Sequence, residues 1–212
     1  MARRRRKLPP TVRLPPFYRR HRVSLIVGAV LVALAVLGRG SGGRAIPAST
    51  PESDFERLHG RVFTVVKVVD GDTVDIAAAD GRRATTRIRL WGVDTPEVAT
   101  APTGAMYWGE QASRFATETL LGGEVRVELV EGETRDKYNR LLAYLYLPDS
   151  GALFNELLLR GGHAYADHRF KHPFRERFAE LERRAREEMV GLWREVTRRQ
   201  MPGWRQKREP RR

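Results

Sequence analysis

At 212 residues the chain has room for one domain of ordinary size with extensions at its ends. It contains no cysteine, which excludes disulfides, thiolate nucleophiles and cysteine-rich zinc sites. Its formal charge of +13 is unevenly spread: residues 1–50 hold 11 of the 39 Lys and Arg and no acidic residue, residues 198–212 hold seven basic and one acidic, and the stretch between them holds 21 basic against 25 acidic. The central stretch is thus slightly acidic, and its composition by itself does not mark a nucleic-acid binder.

Residues 1–22 are basic, with Arg3 to Arg6 in a row, and the fifteen residues from Val23 to Leu37 carry no charge. That run is short of the roughly 20 residues that span a bilayer, although Gly38 and flanking arginine stems extend it. A cleaved signal has the same layout, but Gly43 and Ala45 offer only a weak cleavage site and the basic lead is long. An uncleaved anchor over 23–38 is the expectation, with secretion after cleavage as the alternative. Nine Lys and Arg precede the run and only Arg39 and Arg44 follow closely, so the N-terminus is expected in the cytoplasm and the remainder outside. Residues 39–58, rich in Gly, Ser, Pro and Ala at their start, read as a flexible linker.

Residues 60–69, 73–77 and 84–91 carry alternating or β-branched side chains and are predicted to be three antiparallel strands. A helix follows over 107–121, with Ala112, Phe115, Ala116, Thr119 and Leu120 at helical spacing and Gly122-Gly123 as its stop. Residues 124–130 and 138–147 make two more strands. A short helix over 153–160 ends at Gly161-Gly162, and a last helix over 173–193 carries Phe174, Phe178, Leu181, Ala185, Met189 and Leu192 along one stripe. Five strands interrupted by a helix after the third suit a mainly β, α+β domain over 59–197: a five-stranded OB-type barrel with about three helices, preceded by the N-terminal apolar helix. Residues 198–212 read as a basic disordered tail.

The chemistry concentrates between Asp70 and Glu97. The stretch opens as Asp70-Gly71-Asp72-Thr73 and closes as Arg89-Leu90-Trp91-Gly92-Val93-Asp94-Thr95-Pro96-Glu97, with a turn at Ala79-Asp80-Gly81 between. An out-and-back ribbon brings Asp72 near Asp94. Two adjacent carboxylates repel unless a cation joins them, and hard oxygen donors without His or Cys suit Ca²⁺ or Mg²⁺ better than Zn²⁺. Arg89 and Glu97 flank that candidate metal site. A third segment, Asp136-Lys137-Tyr138-Asn139-Arg140, precedes an apolar strand.

Asp-Gly-Asp-Thr, then Arg-x4-Asp-Thr-Pro-Glu, then Asp-Lys-Tyr-x-Arg together resemble the thermonuclease (staphylococcal-nuclease-like) family, over roughly residues 60–193. The resemblance implies Ca²⁺ on the carboxylates of Asp72 and Asp94 and on the Thr95 carbonyl. It implies Arg89 and Arg140 as phosphate-binding catalytic residues, Glu97 as the residue that orients or deprotonates water, and Tyr138 as a nucleotide contact. Asp70 and Thr73 would support the turn, and a second nucleotide-contacting tyrosine would fall near Tyr165. Asn139 stands where the family has glycine. The implied activity is hydrolysis of DNA and RNA to 3′-phosphate products, and low sequence specificity is expected because nothing in the motif reads bases. The N-terminal segment adds the expectation of a monomer tethered at a membrane or secreted. The rival readings are a non-catalytic OB-type nucleic-acid-binding module at a membrane and a structural anchor whose basic ends bind anionic lipid. His163, His168 and His172, like Trp91, Trp108 and Trp193, are expected to serve packing or the surface rather than chemistry.

Overall fold

In Thr86–Leu90 the side chains of Thr86, Ile88 and Leu90 are buried while Arg87 and Arg89 turn to the opposite face, which is the period-two pattern of a strand with one side in a core. This strand, β3, belongs to the computed structural model of the chain, which describes residues 51–102 and 104–209. With β1 (Val62–Val68), β2 (Thr73–Ile76), β5 (Glu124–Glu128) and β6 (Leu141–Tyr146) it forms a closed barrel in the order β1-β2-β3-β6-β5. Closure leaves no barrel edge unpaired. Neighbours are antiparallel except β3 and β6, which run parallel with Ile88 opposite Leu141. The interior is filled by Val65, Val74, Ile76, Ile88, Val125, Val127, Leu141 and Leu145, all fully buried. The expected OB-type α+β fold is the one observed.

Helices α2 (Gly109–Leu120) and α3 (Phe154–Arg160) pack on the barrel, and α4 (Arg175–Glu187) packs on α3. Ala112, Ala116 and Leu120 form the buried stripe of α2, and Phe178, Leu181 and Ala185 that of α4. The last helix stops at Glu187, earlier than the apolar spacing suggested. Met189 there adopts φ 52, and a 3-10 turn follows at Gly191–Arg194. A Cβ on Gly191 would lie 2.4 Å from the carbonyl oxygens of Gly161 and Gly162, so the chain bends where only glycine fits between two backbones.

Two segments differ from expectation. Residues 51–58, assigned to the flexible linker, form α1 (Pro51–Leu58), in which Asp54 is fully buried. The reason is a distant partner: Arg135 donates to both Asp54 oxygens, at 2.6 and 2.9 Å. Residues 198–209, assigned to a disordered tail, fold as a 3-10 turn (Arg198–Gln200) and α5 (Gly203–Gln206). Arg205, 7% exposed, contacts the buried Glu182 of α4 and Glu209 at 2.9 Å, and Glu209 in turn accepts from Arg186 at 2.8 Å. Cationic residues that read as a solvated run are thus consumed by carboxylates. A two-stranded ladder of β4 (Val93–Asp94) and β7 (Tyr165–Ala166) was also not anticipated, being too short for any periodicity.

The apolar run at 23–37, the basic residues before it, the linker up to 50 and residues 210–212 lie outside the described residues. Among the described residues no helix is long and apolar enough to cross a membrane.

Of His163, His168 and His172, two are packing residues whose burial has a measurable consequence. His163 stacks on Phe115 at 4.4 Å and accepts the Trp108 indole N–H at 3.2 Å; His172 meets the Tyr144 hydroxyl at 3.2 Å and packs on Gly92. Desolvation lowers both imidazoles to about 4. Between pH 6.5 and 4 the unfolded chain binds protons that the folded one refuses, so stability is full above 6.5 and is lost as pH falls through that window. A loss on the order of 2 kcal/mol from pH 7 to pH 5 is expected for His163, and less for the more solvent-screened His172. Urea midpoints at the two pH values would show it. A His163→Gln variant with an unchanged pH dependence would refute the assignment to His163.

Candidate active site

The turn between β1 and β2 is built by its own polar side chains. Asp70 accepts the backbone N–H of Asp72 at 3.0 Å, and Thr73 donates to the Asp72 carboxylate at 3.1 Å. A Cβ on Gly71 would lie 2.8 Å from the Thr95 side chain, so glycine lets this turn close against the strand that follows β3. The closure is sealed when the Thr95 N–H donates to Asp72 at 2.7 Å. Asp72 is left 2% exposed.

Arg89 completes the meeting of the two ends. In the β2–β3 register it lies opposite Thr73, and its two terminal nitrogens reach different carboxylates: one contacts Asp72, the other contacts Asp94 at 2.5 Å. Since those nitrogens share one carbon, the two acidic groups converge on one small volume. Glu97 lies within electrostatic reach of Asp94 and Arg89. Its carboxyl is pushed above the usual range by burial, then by repulsion from Asp70 and Asp94, while Arg89 and Arg140 pull it down. Asp70 is likewise raised by burial against the pull of Arg89 and Arg140. The Glu97 backbone is fixed from the start of α2: Met106 N–H donates to its carbonyl at 2.9 Å, and a Cβ on Gly109 would lie 2.0 Å from that oxygen.

Arg140 arrives on the loop before β6. Asp136 accepts the backbone N–H groups of Tyr138 and Arg140 at 2.9 Å each, and grips the Arg140 guanidinium at 2.7 Å. Asn139 takes φ 63, the left-handed conformation that asparagine tolerates better than most residues. Asparagine is thus compatible with this turn. Tyr138 is 68% exposed, its ring flanked by Lys137 and Arg140.

Two side chains with no sequence motif join this group. Asp94 accepts from Arg169 at 3.1 Å and from the indole N–H of Trp204 at 2.8 Å. The β4–β7 ladder pairs Asp94 with Tyr165 and so carries Asp167 and Arg169 past the site, and α5 carries Trp204. Nothing local in either segment marked them. Tyr165 itself is fully buried against Trp193, and burial raises its phenol. A contact between its ring and a nucleotide is closed off in this arrangement.

Residues 87–195 match the sequence profile of the family described as staphylococcal nuclease homologue. The thermonuclease of Staphylococcus hyicus is 30% identical over 170 residues, covering 80% of this chain and 94% of that protein. The chain belongs to the staphylococcal nuclease family. The thermonuclease of Staphylococcus intermedius is 35% identical over 139 residues, covering 64% of this chain and 78% of that one. Endonuclease YncB of Bacillus subtilis is 32% identical over 148 residues, covering 69% and 67%. As a member of the staphylococcal nuclease family the chain is a phosphodiester hydrolase, and its described barrel is the scaffold on which Asp72, Arg89, Asp94, Glu97 and Arg140 are gathered.

Proposed function

We propose that this chain is a Ca²⁺-dependent nuclease that hydrolyses DNA and RNA with low sequence specificity and leaves 3′-phosphate ends. The observation that carries the reading is the Arg89 guanidinium shared by Asp72 and Asp94, with Glu97 and Arg140 in the same electrostatic neighbourhood. The donors fit a hard cation, being carboxylate oxygens without His or Cys. Ca²⁺ takes six to eight oxygens, so two carboxylates and a carbonyl would leave positions for water and a phosphate oxygen. Asp72, Asp94 and the Thr95 carbonyl would hold it. Such an ion supplies positive charge beside the phosphate oxygens as water adds to phosphorus.

The chain's own residues do the rest. Arg89, shared by Asp72 and Asp94, and Arg140, whose Nη1 Asp136 does not hold, place two guanidiniums where charge grows on the phosphate oxygens. Glu97 holds or deprotonates the attacking water, and its raised affinity for protons suits a base. Guanidiniums and a cation recognise phosphate rather than base edges, which supports low sequence specificity. The exposed Tyr138 supports a stacking contact to a nucleotide, as single-strand binders use. Tethering at the cell membrane by residues 23–38, with the nuclease domain outside, is supported by the charge asymmetry around that run, and a monomer suffices for the site.

The test is incubation of the protein with end-labelled single-stranded DNA and RNA, with chelator and with Ca²⁺. Cleavage should vanish with chelator, return with Ca²⁺ and leave 3′-phosphates. Cleavage that survives chelation would remove the metal from the reading, and binding without cleavage under every condition would favour the non-catalytic module.

A further inference from the structure

Among the guanidiniums at the site, Arg169 has no motif and no role in the reading above, yet it is held as deliberately as Arg140. Arg140 is gripped by Asp136 through Nε and Nη2. Both of those nitrogens meet one Asp136 oxygen, whereas Arg169 makes a two-oxygen fork with Asp167, Nε donating to one oxygen at 2.9 Å and Nη2 to the other at 2.7 Å. Asp167 is 5% exposed, so the fork is anchored from below by a buried carboxylate, itself fixed because the Asp167 N–H donates to Gly92. The remaining Nη2 proton goes to Asp94 at 3.1 Å. The flat face of the guanidinium lies 4.7 Å from the Trp204 ring centroid, and Trp204 is pinned by its own hydrogen bond to Asp94.

Among the described residues these contacts use three of the five N–H groups of Arg169 and leave both on Nη1. The side chain is 35% exposed, against 14% for Arg89, so a strand crossing the site can reach it. A surface arginine needs neither a buried carboxylate nor a stacked indole to remain soluble. Ordering its long side chain costs rotamer entropy that a solvated residue keeps. The arrangement instead lowers the entropy lost when a further anion is bound.

We infer that Arg169 is a third phosphate-binding residue, which uses its Nη1 donors to hold a strand phosphate next to the one cleaved, with Asp167 and Trp204 as its positioning residues. The inference deepens the nuclease reading and rests on it. It divides the labour at the site. Arg89 and Arg140 attend to the reacting phosphate, while Arg169 fixes the register of the strand by a neighbouring one. The Nη1 contact exists before and after the reaction alike, so its loss should appear in KM.

The experiment uses the full chain carrying Glu97→Gln, so that the strand survives, and measures binding of a fluorescein-labelled single-stranded oligonucleotide in Ca²⁺ over a salt series. Adding Arg169→Gln should weaken binding about tenfold and lower the slope of log K against log salt by about 0.7, the share of one phosphate contact. A set of strands in which one linkage at a time is an uncharged methylphosphonate should show one position that weakens binding to the Arg169 protein and has no effect on Arg169→Gln. Arg169→Lys, which keeps the charge and loses the fork, should keep the slope while affinity falls. That variant carries the test if Arg169→Gln does not fold. An unchanged slope and linkage profile, with wild type cleaving normally, would overturn the inference and make Arg169 a strut for Asp94. A wild type that neither cleaves nor binds the strand would remove the nuclease reading and this inference together.

Discussion

Arg89→Ala is expected to lower kcat/KM at least a hundredfold and, in the absence of divalent cation, to destabilise the protein by about 3 kcal/mol. The two effects have one origin. Arg89 is the positive charge between Asp72 and Asp94, at 3% and 14% side-chain exposure. Without it two carboxylates remain close together with little water to screen them. Asp72 keeps Thr73 and the Thr95 N–H, and Asp94 keeps Arg169 and Trp204, so the site should survive with its acids facing each other. Added Ca²⁺ should therefore raise the melting temperature of the variant more than that of the wild type, because binding to the folded state alone is stabilising. It should not restore the rate, since the phosphate has lost its planar donor. Paired thermal melts and single-turnover cleavage check both halves. A near-normal rate would show that the phosphate is clamped elsewhere, and an equal Ca²⁺ response would show that the two carboxylates do not form one site.

Asp54→Ala is expected to cost about 3 kcal/mol although Asp54 is remote from the chemistry. Its carboxylate is fully buried and accepts from Arg135 through two nitrogens, with a longer contact from Thr134 at 3.4 Å. Arg135 also grips Asp80 at 2.8 and 3.0 Å and donates to the Asn139 carbonyl at 3.0 Å. These bonds, that to Asp54 first, push the guanidinium further toward its charged form. One cation thus ties α1, the turn after β2 and the loop of Arg140 together. Removing Asp54 leaves that cation, 11% exposed, with half of its compensation. Urea unfolding should report the loss, and amide exchange should quicken across residues 134–140. Replacing the clamp by Asp54→Leu with Arg135→Met and Asp80→Asn should recover most of the stability, because no buried charge is then left without a partner. Failure of that recovery would mean that α1 is held by something other than this clamp.

The same clamp explains where sequence reasoning stopped. The strands of the barrel were legible because their side chains alternate within five or six residues, and α2 and α4 because their apolar residues return every three or four. The out-and-back ribbon that joins Asp72 to Asp94 was legible too, because Asp70-Gly71-Asp72-Thr73 and Asp94-Thr95-Pro96-Glu97 are local patterns at the two ends of paired strands. Residues 51–58 show no such pattern. Their helix depends on Arg135, eighty-one residues from Asp54, and composition alone read them as linker. The final residues misled in the opposite sense, since a run of arginines reads as solvated until the acidic partners on α4 are seen.

The sequence by itself determined the barrel and its principal helices, because each is written in short-range spacing, while Asp72, Arg89, Asp94, Glu97 and Arg140 were singled out by motifs that resemble a known family. Only the tertiary structure decided that Arg169 and Trp204 meet Asp94, that Tyr165 is sealed inside, and that both ends of the described domain are folded. Those outcomes depend on charges and rings brought together from distant parts of the chain. Burial gives such encounters their energy, and burial is a property of the assembled fold rather than of any local run of residues.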